Sequence, residues 1–225
     1  MQQFLVSSGD TMRICATLQA LTWRLQQSQN IKQTIEETFI SEDVLGCLED
    51  SQFKVLDSLV RSQERQVRSF TFSLLNTLAT FQDGKKYLLQ KQDLIECTVS
   101  ALTNQSHINA LTTLPLEELP TSIFGANDTR QESLNECHIH RTLISLLFKL
   151  SQAKRSHDKI TRSKELTDWI LTYLGMVTSL FDPASNRYLK LSQTPLSVTH
   201  VLENSLGLLQ NISLKREGLD KILHF

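Results

Sequence analysis

The chain has 225 residues, 40% of them hydrophobic and 21% charged, with a formal net charge of −1. At this length roughly 70–75% of the unfolded surface can be buried, so a core needs no metal or disulfide. Near-neutral charge argues against bulk attraction to nucleic acid or anionic membranes. Seven glycines and four prolines are few for a β fold rich in tight turns, and no run of about 18 apolar residues exists to insert in a membrane.

The N-terminus has no basic segment followed by a long apolar run, so no signal peptide is expected. The cysteines Cys15, Cys47, Cys97 and Cys137 are widely spaced. Packed, reduced thiols in a cytosolic or nuclear compartment are the expectation.

Ile14, Leu18, Leu21 and Leu25 put one apolar face on a helix over residues 11–28. Thr34 to Ile40 resumes helical spacing. Ser41 reads as an N-cap, with Glu42 and Asp43 favouring the dipole of a helix faced by Val44, Leu45 and Leu48. Val55, Leu56, Leu59 and Val60 predict a short amphipathic helix. After a polar turn, Val67, Phe70, Leu74, Leu75 and Leu78 predict a longer one, which Asp83-Gly84 should stop, since glycine tolerates the left-handed conformation past a helix end. Lys85 to Leu102 is the next helical pair.

Residues 105–135, with Pro115, Pro120 and Gly125, read as an inserted loop. Helical spacing returns at His140 with Leu143, Leu146, Leu147 and Leu150, then at Trp169, Ile170, Tyr173, Leu174 and Val177. A second insertion is expected at 181–196. A long helix then runs from about Leu196 to Ile212, and Gly218 begins another. Trp23 and Trp169 are expected in the core, where large aromatics mostly pack.

One apolar spacing recurs. Leu78 to Leu88, Leu150 to Ile160 and Ile212 to Ile222 are each ten residues apart. Leu94 and Leu166 follow six later, and Leu102 and Leu174 eight later again. The fold class is therefore all-α: an armadillo/HEAT-like α-solenoid of about four degenerate helical repeats in a single domain over 1–225. The anchors Leu78, Leu150 and Ile212 lie 72 and 62 residues apart. An armadillo unit is about 40–47 residues, and the excess falls at the two insertions. The final copy stops at Phe225 before a second helix, so the array is expected to end on an uncovered face.

No phosphate-binding glycine loop, zinc-peptidase helix or serine-hydrolase elbow occurs, so no catalytic or cofactor residue is expected. Cys137-His138-Ile139-His140 gathers three possible ligands but lacks a fourth at zinc spacing. The acid-rich stretch from Gln33 to Phe53 reads as helix starts and solvated faces. Lys149, Lys154, Arg155, Lys159, Arg162 and Lys164 are opposed by Asp158 and Glu165 alone, which makes a basic edge suited to an acidic protein partner. Nucleic acid is disfavoured because aromatics are not interleaved for stacking. Peptide-gripping armadillo arrays repeat an Asn before the anchor and a Trp one turn earlier. Here the anchors are preceded by Thr77, Lys149 and Asn211, with Ser73, Ser145 and Gly207 one turn earlier. Asn211 alone keeps the Asn and no copy keeps the Trp, which counts against the alternative reading, an importin- or catenin-like peptide receptor.

The segment Val55 to Phe70, continuing to Ala79, resembles an armadillo repeat. Leu18 to Gln29 (LQALTWRLQQSQ), Thr38 to Cys47 (TFISEDVLGC) and Leu202 to Gly218 (LENSLGLLQNISLKREG) are similar to the armadillo region of the armadillo repeat-containing protein 9 family. The resemblance implies a non-catalytic scaffold in the cytoplasm, at the cilium's basal body or centriole, alongside TOG-domain tubulin-binding proteins or other ciliary-base partners. The family's LisH motif and coiled coil do not precede the repeats, so family-type self-association is not expected.

Overall fold

A computed structural model describes residue 5 and residues 10–27, 30–48, 54–103, 128–182 and 196–224, with backbone alone at 128–137, 180, 196 and 197. Every regular element among them is helical. Helix α1 (Thr11–Gln27) buries Cys15, Leu18, Leu21 and Leu25. Its N-terminus is closed by Asp10, whose carboxylate accepts from the amides of Met12 and Arg13 at 3.1 and 3.3 Å. Helix α2 (Ile31–Thr34) continues as a π-helical turn, Ile35–Ile40, which buries Ile35 and Phe39. Then come α3 (Val55–Val60), α4 (Arg65–Leu78), α5 (Gln82–Leu88), α6 (Leu94–Thr103), α7 (Asp128–Ser151), α8 (Lys154–Arg162), α9 (Lys164–Leu180), α10 (Leu196–Ser213) and α11 (Arg216–Leu223).

The long helices α1, α4, α7 and α10 pack one on the next. Helix α6 packs on α7 and α9, and α9 packs on α10, so a second layer follows the first. The short helices α5, α8 and α11 follow α4, α7 and α10 in the chain. One continuous apolar core runs through these helices.

The recurrent spacing has a physical basis. Leu78, Leu150 and Ile212 are fully buried at the last turns of α4, α7 and α10. Leu88, Ile160, Leu94, Leu166 and Leu102 are buried as well, whereas Leu174 and Ile222 are half-buried. Six residues after each anchor stand Gly84, Ser156 and Gly218. A Cβ at Gly84 would lie 2.2 Å from the Leu78 carbonyl oxygen, and one at Gly218 would lie 2.2 Å from that of Ile212. At the middle copy the Ser156 hydroxyl donates to the Leu150 carbonyl. All three connections thus bring the same two positions together, twice by omitting a side chain and once by a hydrogen bond.

Several expectations are corrected. Ser41 does not open a helix: its amide donates to the Glu36 carbonyl at 2.9 Å, and it ends the π-helical turn. The chain then reverses at Asp43, in the left-handed region with φ 42°. The Asp43 carboxylate accepts from the Cys47 and Leu48 amides at 2.8 and 3.3 Å and from the Tyr87 hydroxyl at 2.9 Å. Aspartate tolerates this conformation because its side chain bonds the local backbone. Gly84 does not stop α4, which ends at Leu78. It lies inside α5, where the close approach to α4 excludes a side chain. Trp23 is 65% exposed, whereas Trp169 is buried as expected. Helix α7 begins at Asp128, so the final residues of the expected 105–135 loop are helical. Residues 104–127 and 183–195 lie outside the described part.

Candidate protein-binding surface

The basic edge lies on α8 and the residues flanking it. Helix α8 is strongly two-sided, with Ser156, Ile160 and Thr161 buried and its cations outward. Those cations differ in what they meet. Arg155 Nη1 donates to Gln90 Oε1 at 3.2 Å. Lys159 Nζ pairs with Glu96 Oε1 at 2.9 Å and also donates to the Gln92 carbonyl. Arg162 Nε stands 3.9 Å from Glu217 Oε2, and Asp158 is paired with Lys215. Lys154 and Lys164 are exposed and make no ion pair or hydrogen bond among the described residues. Beside this edge a cleft of about 660 Å³ opens between α6, α8 and the start of α9. Ile95 and Val99 line it, together with Glu96, Lys159, Arg162 and Glu165. Most of the charge on α8 is therefore directed to neighbouring helices.

Lys149 and Asn211 are separate from that edge. Half-buried Lys149 donates from Nζ to the Asn76 carbonyl at 2.8 Å and to Thr80 Oγ1 at 3.0 Å, at the end of α4. Burial, and then the charge of Lys85, hold its pKa below the ordinary lysine value. Asn211 Nδ2 donates to Ser151 Oγ at 2.7 Å, and its carbonyl meets His157 Nε2 at 2.8 Å. The position before the anchor thus reaches back to the end of the preceding long helix in both copies. The Asn211 side chain is held in this contact, which counts against an Asn ladder for extended peptides.

Two further registers behave in the same way. Nine residues after the anchors, Tyr87, Lys159 and Lys221 reach backwards. The Tyr87 hydroxyl accepts from the Leu45 amide at 3.0 Å. Lys221 Nζ covers the Thr161 and Arg162 carbonyls at 2.9 and 2.7 Å, groups left without helical partners at the end of α8. Seven residues after the anchors, Lys85 and His157 reach forwards, Lys85 to Gln152 Oε1 at 2.9 Å.

Cys137 to His140 lie along α7, and the two histidines part. His138 is exposed, with Nδ1 3.1 Å from Arg141 Nη2. His140 is buried and stacked on Trp169, ring centroids 6.3 Å apart, and Trp169 stacks on Tyr173 at 5.5 Å. Residues two apart on a helix point to opposite sides. Among the described residues no three metal-ligating side chains converge.

The sequence reading passed over Arg141 and His200. His138 and His200 share one register, twelve residues before Leu150 and Ile212, and that was the available signal. On the packed pair α7 and α10, burial and then Arg141 hold both imidazoles below the ordinary histidine value. At His200 Lys149 adds to this, and Glu203 opposes it.

The described helices thus form an all-α stack in which polar side chains join neighbouring helices. Over part of its length the chain is similar to LisH domain-containing protein ARMC9. It is 38% identical over 80 residues to the Bos taurus protein, 40% over 86 residues to the Xenopus laevis protein and 33% over 103 residues to the Danio rerio protein. These matches cover 35%, 37% and 45% of this chain, and span 12%, 10% and 12% of the relatives. No family model and no solved structure matches the chain.

Proposed function

We propose that this chain is a non-catalytic scaffold with armadillo-type packing, built from about four degenerate repeats, that holds protein partners at the ciliary base. The observation carrying the repeat reading is the register at Gly84, Ser156 and Gly218, where three separate connections repeat one close approach. Such arrays present extended surfaces and take part in binding more than in chemistry. The similarity to the ARMC9 proteins supports the family resemblance, and on that resemblance rests the assignment to a cytoplasmic position at the basal body or centriole, with TOG-domain tubulin-binding proteins among its partners. The exposed, unpaired Lys154 and Lys164 support an acidic protein as the partner of the basic edge. Localisation of the tagged protein in a ciliated cell tests the reading. A focus at the ciliary base is expected, and a diffuse cytosolic signal rejects that placement.

A further inference from the structure

On the packed pair α7 and α10, Arg141 Nη2 stands 3.1 Å from His138 Nδ1, and Lys149 and His200 lie on the same two helices, with Lys85 of α5 close enough to act on Lys149. None of the ion pairs among the described residues includes any of these five. Glu203 is the carboxylate that acts on His200, and the neutral Asn204 amide sits 3.0 Å from His200 Nδ1. Among the described residues the cluster therefore holds more cationic side chains than carboxylates that answer them. The α8 edge is the reverse case, since Glu96 and Glu217 already answer Lys159 and Arg162.

We propose that the α7–α10 face, centred on Arg141 with His138 and His200 at its sides, is a docking surface for an acidic peptide segment of a partner protein. Arg141 is half-buried and presents a planar fork of donors suited to carboxylates. Both imidazoles offer further donors at matching positions on neighbouring helices. Charge complementarity selects the acidic occupant. Nucleic acid fits less well, because no aromatic is among the exposed large hydrophobic residues of α7 or α10 to stack on bases. The proposal rests on the protein-binding reading above but moves its centre from the edge to the long helices.

The test is fluorescence anisotropy with a labelled oligoglutamate peptide at low salt. Arg141→Glu is expected to weaken binding at least about tenfold, and Arg141→Gln to weaken it less while keeping the native far-ultraviolet dichroism. Lys154→Glu with Lys164→Glu, which removes charge from the separate basic edge, is expected to weaken it less than Arg141→Glu does. Loss of binding in the edge variant with none at Arg141 overturns the α7–α10 site and leaves the scaffold reading standing. A wild-type chain that does not bind the peptide overturns the proposal, and so does equal, Arg141-dependent binding of an oligothymidylate of the same charge.

Discussion

Gly84 and Gly218 illustrate how one atom decides a connection. Gly84→Ala places a methyl group against the Leu78 carbonyl, backbone that cannot rotate away. The expected cost is about 1–3 kcal/mol, read as a lower urea midpoint. Gly175, inside α9, has nothing within 4 Å of an added Cβ, and Gly175→Ala is expected to add about 0.5–1 kcal/mol by lowering unfolded-state entropy. Equal effects at both positions would reject the steric explanation. Around Tyr87, burial is the largest influence on the Cys47 thiol and, with the Asp43 charge, outweighs the Tyr87 hydrogen bond, pushing it up to about 12. Cys47 is therefore expected to ignore an aromatic disulfide reagent at pH 8 until urea unfolds the chain. Rapid labelling of Cys47 in the native protein would contradict this. These residue roles were poorly legible in the sequence. Gly84 carries an ordinary helix-stop signal, and its actual reason, the Leu78 carbonyl, is tertiary. Asp43 resembles a first-turn acid until its carboxylate is seen folding back on Cys47 and Leu48.

Among the elements, the long helices were the most legible, because Leu74, Leu75, Leu143, Leu147 and Leu208 are buried on one stripe and leave that stripe in the sequence. Leu78→Ala and Leu150→Ala are each expected to cost about 2–5 kcal/mol, and a loss under about 1 kcal/mol would mean that those anchors are not core. The polar start of α7 left no such stripe, which is why Asp128 was missed as its beginning. The α7–α10 pair also gives a pH dependence. With folded pKa values depressed, His138 and His200 take up protons less readily than in the unfolded chain, whose histidines titrate near about 6.5. Unfolding then absorbs protons below that pH, so these groups lower stability as the solution is acidified below about 6.5 and leave it level above. Arg141→Gln removes a cause common to both. A smaller fall in melting temperature between pH 7.5 and pH 5.5 is expected for this variant, and an unchanged fall would reject the coupling.

For the whole molecule, the net charge of −1 hides a strongly patterned surface. The run from Lys149 to Lys164 was legible as charge but not as structure, because its partners Gln90, Glu96 and Glu217 come from distant positions. Lys154→Glu with Lys164→Glu is expected to leave unfolding within about 0.5 kcal/mol of the wild type, since neither lysine holds a neighbour. A clear destabilisation would show that the edge is structural after all.

The side chains that reach forwards and backwards between helices also bear on elasticity. Lys149, His157, Asn211 and Lys221 each join neighbouring helices by one or two hydrogen bonds, each worth about 1 kcal/mol net, while the leucine stripes beneath stay in contact. A load that bends the stack therefore meets weak, separately breakable links before it meets the core. Curvature is cheap and separation is costly, so the stack behaves as a spring whose stiffness is set by a few polar side chains at its joints.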